Sequence, residues 1–146
     1  MVPLFLRTRV RPFPRAKGRR RLQFYRVFVF RDKATMHAFR NEQTRANPTI
    51  FRRLSRYQAI AQGWWMETNG RRDNCIGQVL FHAKFLGAGV TAHEMTHAAL
   101  YAVAGRTKKG YELTEAQDEV LADVVGQMVG QFWRAWWRWE KQGKIK

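Results

Sequence analysis

The stretch from Val90 to Val103 is mostly apolar yet holds two histidines and a glutamate, and no other feature constrains the fold of this chain as much. Ala92, Ala98, Ala99 and Leu100 predict a largely buried helix, set off from the preceding segment by Gly87-Ala88-Gly89. His93, Glu94 and His97 are costly inside such a helix unless they are used. Histidines four residues apart lie one above the other on the same helical face, so both imidazoles can reach one ion. Glu94 is offset by one residue and faces a third, open position of that ion. There a carboxylate can take a proton from water that zinc has acidified to a pKa of about 7. The competing reading is a pair of ordinary histidines on an amphipathic helix.

The surrounding pattern predicts a domain able to carry this helix. Leu22 to Phe30, rich in Phe and Val with apolar residues on both faces, reads as a buried strand. Asp32 caps a helix to about Arg45, with Met36 and Phe39 on one face, and Asn47-Pro48 ends it. Strands over Tyr57–Glu67 and Cys75–Phe85 flank the turn residues of Thr68-Asn69-Gly70 through Asn74 and so form a hairpin. After the helix of Val90–Val103 comes a loop, then a last helix opened by Thr114-Glu115-Ala116-Gln117, the form of a capping box, and running to about Lys141. The expected class is α+β, with a small antiparallel or mixed sheet packed against helices.

The 146 residues suffice for one domain, expected over residues 22–141, with a basic arm at 1–21 and a short basic tail at 142–146. Seven arginines and Lys17 in that stretch predict the arm, with Pro3, Pro12, Pro14 and Gly18 breaking regular structure. A single cysteine, Cys75, excludes an internal disulfide and fits a reducing compartment; neither a signal peptide nor a transmembrane segment is expected, which gives a cytoplasmic protein. The formal charge of +16 attracts polyanions, so nucleic acid contacted through the arm is a second expected partner. The oligomeric state is not readable.

A third metal ligand can be sought by elimination. None of the four histidines (His37, His82, His93 and His97) and no cysteine lies beyond His97, which leaves the later acidic residues, Glu112, Glu115, Asp118, Glu119, Asp123 and Glu140. Glu119 and Asp123 lie one turn apart on the last helix, with Leu121 and Val125 turning the opposite side to the core; Glu115, one turn earlier, is the rival.

His93-Glu94-x-x-His97, followed 22 residues later by Glu119-Val120-Leu121-Ala122-Asp123, resembles the gluzincin class of zinc metallopeptidases. In that class a glutamate from a second helix completes the site, often within Glu-x-x-(Ser/Ala)-Asp. The resemblance covers about residues 75–130. It implies a zincin-like fold, a Zn2+ cofactor, Glu119 as third ligand, Glu94 as general base and hydrolysis of a protein or peptide substrate. It also implies that Asp123 hydrogen-bonds a ligand histidine and fixes its ring. The small size and strand–helix order are similar to the intracellular ImmA/IrrE-type peptidases. Those usually carry Asn where this chain has Asp123, and Thr96 is unusual among them.

Related enzymes keep a tyrosine in the loop between the two helices, which makes Tyr111 the expected oxyanion donor, with Tyr101 and His82 as alternatives. Cys75–Phe85 is the expected sheet edge for an extended substrate, with Gly77 and Val79 as its contacts. In the tail, Trp133, Trp136 and Trp137 are expected to pack on the domain or a partner while the arginines stay in water, the other reading being contact with a membrane surface or with stacked bases. The alternative function is a nucleic-acid-binding or interaction protein whose metal site is structural or vestigial.

Overall fold

Gln23–Phe30 (β2) buries side chains on both of its faces, Tyr25, Val27 and Val29 on one and Phe30 on the other. A strand of that kind must have cover on both sides of its sheet. The computed structural model describes residues 3–10, 23–46, 59–63, 67–68, 71–72, 74–104 and 113–145, and it supplies that cover. The remaining strands of the main sheet are Leu4–Val10 (β1), Ala59–Gly63 (β3) and, after a two-strand ribbon of Glu67–Thr68 (β4) and Arg71–Arg72 (β5), Cys75–His82 (β6). Their order is β1-β2-β6-β3. β1 runs antiparallel to β2, β2 parallel to β6, and β3 antiparallel to β6. The predicted hairpin pairing of the second and third strands therefore holds, with β4 and β5 between them.

Three helices complete an α+β architecture. Lys33–Ala46 (α1) follows β2 directly. Asp32 caps it, accepting from the Thr35 backbone N–H at 2.7 Å and the Thr35 hydroxyl at 2.7 Å. Its Met36 and Phe39 cover Phe28, Phe30, Ile60 and Leu80 on one side of the sheet. Ala88–Ala104 (α2) and Glu115–Lys141 (α3) cover the other. There Met95, Ala98 and Ala99 of α2 and Val124, Met128 and Phe132 of α3 meet Val10, Tyr25, Val27, Val29, Val79 and Phe81. The predicted capping box is present: Thr114 Oγ1 accepts from the Gln117 N–H at 3.3 Å, and the Thr114 N–H donates to Gln117 Oε1 at 2.9 Å.

Three expectations need correction. The stretch read as an arm supplies β1: Thr8 and Val10 are buried against the helices while Phe5, Arg7 and Arg9 point the other way. Alternation, with period two, builds the strand in spite of its arginines. Gln131 of α3 pairs with its outer edge, accepting from the Arg9 N–H at 2.8 Å and donating to the Arg9 carbonyl at 2.9 Å. The second correction concerns the edge, for β6 is hydrogen-bonded on both sides and the edge strand next to it is β3. In the tail, Trp133 and Trp136 pack on the core as expected, Trp139 packs there too, and Trp137 is exposed and does not pack on the domain core. Residues 11–22 of the expected arm lie outside the described residues. No helix among the described residues is long and apolar enough to cross a membrane.

Candidate metal centre

The chain enters α2 through a short 3-10 turn, Ala83–Phe85, and the Thr91 N–H donates to the Gly87 carbonyl at 2.9 Å. Helical periodicity then assigns the faces. Thr91, Met95, Ala98 and Ala99 point into the core, and His93 and His97 point out. Tyr25 anchors the turn that follows His97, its hydroxyl donating to the Ala98 carbonyl at 2.8 Å. This bond ties β2 to α2 close to the exposed histidines. The Thr96 hydroxyl is used within the helix, donating to the Ala92 carbonyl at 2.8 Å.

The two imidazoles meet edge to face, with ring centroids 4.7 Å apart and an interplanar angle of 85°. Their Nε2 atoms are 3.1 Å apart. Two nitrogens at that separation, each about 2.0–2.1 Å from a shared zinc, would subtend about 100° at the metal, close to tetrahedral. The pair thus has the bite of a two-histidine chelate.

Glu94 sits differently, only 9% exposed although it neighbours an exposed histidine. Burial pushes its carboxyl above the ordinary carboxylate value; His93, His97 and the backbone N–H of Ala61 pull it back in part. The Ala61 N–H belongs to β3, so the edge strand holds the Glu94 carboxylate in place. Nothing in the residue pattern around Ala61 signalled this contact, because it arises from the docking of α2 beside β3.

Glu119, Asp123 and Glu115 are all exposed on α3, on the side away from Val124 and Met128. Among the described residues no third His, Cys, Asp or Glu is drawn together with His93 and His97 into a ready-made ligand cluster. α3 does pack on α2 through its Val124 and Met128 face. Tyr111 lies outside the described residues. Of its alternatives, Tyr101 is buried, and so is His82, whose Nδ1 accepts from the Lys84 N–H at 3.2 Å. Gly77 and Val79 stand inside β6, paired with Tyr25 and Val27 on one side and with Gly63 and Ala61 on the other, so an extended chain cannot add there.

Compared with known protein families, curated proteins and solved structures, the chain finds no match in any of the three.

Proposed function

We propose that this chain is a zinc metallopeptidase of zincin-like architecture, with His93, His97 and Glu119 as metal ligands and Glu94 as the group that moves the proton. The observation that carries this reading is the 3.1 Å separation of two exposed imidazole nitrogens beside a buried carboxyl whose proton affinity is raised. A zinc ion held by His93, His97 and Glu119 would supply Lewis-acid polarisation of a peptide carbonyl and of the attacking water. Glu94 would accept a proton from the attacking water and pass it to the leaving amine nitrogen. The Ala61 N–H holds one oxygen of the carboxylate while the other remains for the proton. Glu119 is solvent-exposed, so its side chain is not tied into the core. Asp123, one turn on, serves as the orienting partner of a ligand histidine.

The substrate is a protein or peptide. An extended segment would lie along β3, an edge strand among the described residues, and not along β6. Cys75 is buried and takes part in no disulfide, which favours work in a reducing compartment such as the cytoplasm.

Cleavage of casein or a quenched peptide by wild type and Glu94→Gln tests the reading. The substitution keeps shape and metal but removes the base, and kcat/KM should fall about 10²–10⁴-fold, about 3–5 kcal/mol in the barrier. Glu119→Ala should instead lose metal affinity. Full activity in Glu94→Gln would end the proposed mechanism.

A further inference from the structure

The side of the sheet that carries α1 is covered unevenly. Met36 and Phe39 seal the portion formed by Phe28, Phe30, Ile60 and Leu80. Towards β1 the same side bears a depression of about 690 Å³ lined by Phe5, Arg7, Phe24, Arg26, Phe28 and Asn74. Small-molecule sites span roughly 300–1,000 Å³, so the space is large enough for a base with its sugar and phosphate. None of the lining residues among those described is acidic.

The register explains the composition. Phe5 stands directly opposite Phe28, Arg7 opposite Arg26, and Arg9 opposite Phe24. Aromatic rings and guanidinium groups therefore form one cross-strand ladder. Phe5 is 45% exposed, and its ring centroid lies 5.1 Å from that of Phe28. The Arg7 guanidinium stands 5.1 Å from the Phe24 centroid and 6.0 Å from that of Phe5, within cation–π range of both. Arg26 is held upright by its Nε, which donates to Cys75 Sγ at 3.2 Å.

Two features point to an anionic, aromatic ligand. Like charges directly opposite on neighbouring strands destabilise a sheet, so the Arg7–Arg26 pair costs stability that an anion between them would return. An exposed phenylalanine beside them offers a stacking plane that a simple anion does not need. Phosphate and base together meet both, and a base can stack only when it is free of a duplex. The chain's charge agrees: it is +16 overall, and residues 11–22, which join β1 to β2, add Arg11, Arg15, Lys17, Arg19, Arg20 and Arg21 with no acidic residue.

We propose that the β1–β2 surface bearing Phe5, Arg7, Phe24 and Arg26 binds single-stranded nucleic acid, with a base stacked on Phe5 and the adjoining phosphate between Arg7 and Arg26. This surface lies on the opposite side of the sheet from α2, so a strand bound there leaves His93 and His97 uncovered. The inference does not depend on the peptidase reading.

Fluorescence anisotropy of the full-length protein with a labelled oligo(dT) or oligo(U), and with a blunt duplex of equal length, tests it. The single strand should bind more tightly than the duplex. Phe5→Ala, which leaves the charge unchanged at an exposed site, should weaken binding about tenfold or more. Arg7→Ala should weaken it too and flatten the plot of log K against log salt by about 0.7. Arg138→Ala, an exposed change on α3, should leave affinity within about twofold. Circular dichroism and the unfolding midpoint confirm that each variant is folded, and amide shifts on titration should centre on Phe5, Arg7, Phe24, Arg26 and Asn74. Equal affinity for single strand and duplex with no effect of Phe5→Ala would overturn the proposal and reduce the binding to bulk charge. Binding to phosphatidylserine vesicles without binding to either oligonucleotide would overturn it in favour of a lipid surface.

Discussion

Thr91→Val should stabilise the protein. Thr91 is fully buried at the start of α2, and its Oγ1 has no hydrogen-bond partner among the described residues. A hydroxyl taken from water without compensation costs about 1–3 kcal/mol by mutational measures. Valine has nearly the same shape and the same branch at Cβ, so the exchange opens no cavity and alters helix propensity little. The expected gain is therefore about 1–3 kcal/mol, against a total stability for such domains of about 5–15 kcal/mol. With a urea m-value of about 2 kcal/mol/M, the midpoint should rise about 0.5–1.5 M with m unchanged. Thr91→Ser serves as the control: it keeps the hydroxyl and removes one methyl group, so it should lower stability by about 1 kcal/mol. Urea titration followed by far-ultraviolet circular dichroism and tryptophan fluorescence reads both variants. A lower midpoint for Thr91→Val would refute the reasoning, since it would mean that the hydroxyl is satisfied in the folded molecule.

Two further outcomes follow from the packing. Phe132 is fully buried, its centroid 5.2 Å from that of Phe81 and 5.4 Å from that of Trp133; Phe132→Ala should cost about 3–5 kcal/mol, measured as the shift in urea midpoint multiplied by m. His37 on α1 holds its proton less firmly than the ordinary value of 6.5, because of burial first and then the Arg40 and Lys33 charges, and its Nε2 is buried without a partner among the described residues. The unfolded chain therefore binds this proton before the folded one does. Stability should be undiminished above pH 6.5 and decline as the pH falls below it, until the lower folded value is passed, and His37→Leu should flatten that part of the pH–stability curve.

Local patterns carried most of the secondary structure. Tyr25, Val27 and Val29 alternating with Phe28 and Phe30 announced a strand with both faces covered, Asp32 announced the start of α1, and Thr114 with Gln117 announced the start of α3. β1 was hidden because the arginines on its outer face resemble a basic tail; reading Leu4, Leu6, Thr8 and Val10 as one side would have found it. Trp137 is exposed and Trp139 packs because the last turns of α3 present Trp139 to the core, a matter of helix rotation against the sheet that spacing alone does not settle.

The candidate centre divides along the same line. The His93–His97 pairing is a property of one helix and was legible at once. Which strand forms the edge, and which backbone group holds Glu94, depend on how β3, β6 and α2 assemble, and no short motif records that. The proposed ligand from α3 is the least local part, since its approach to the two histidines would depend on how two helices pack.

Zinc X-ray absorption on protein dialysed against dilute zinc, together with metal content per chain, tests the central claim most directly. The account predicts one zinc per chain with two imidazole nitrogens at about 2.0–2.1 Å and oxygen donors at about 2.0–2.2 Å, and loss of most of that zinc in His97→Ala and Glu119→Ala. Substoichiometric zinc, or a full complement of zinc that survives both substitutions unchanged, would contradict it.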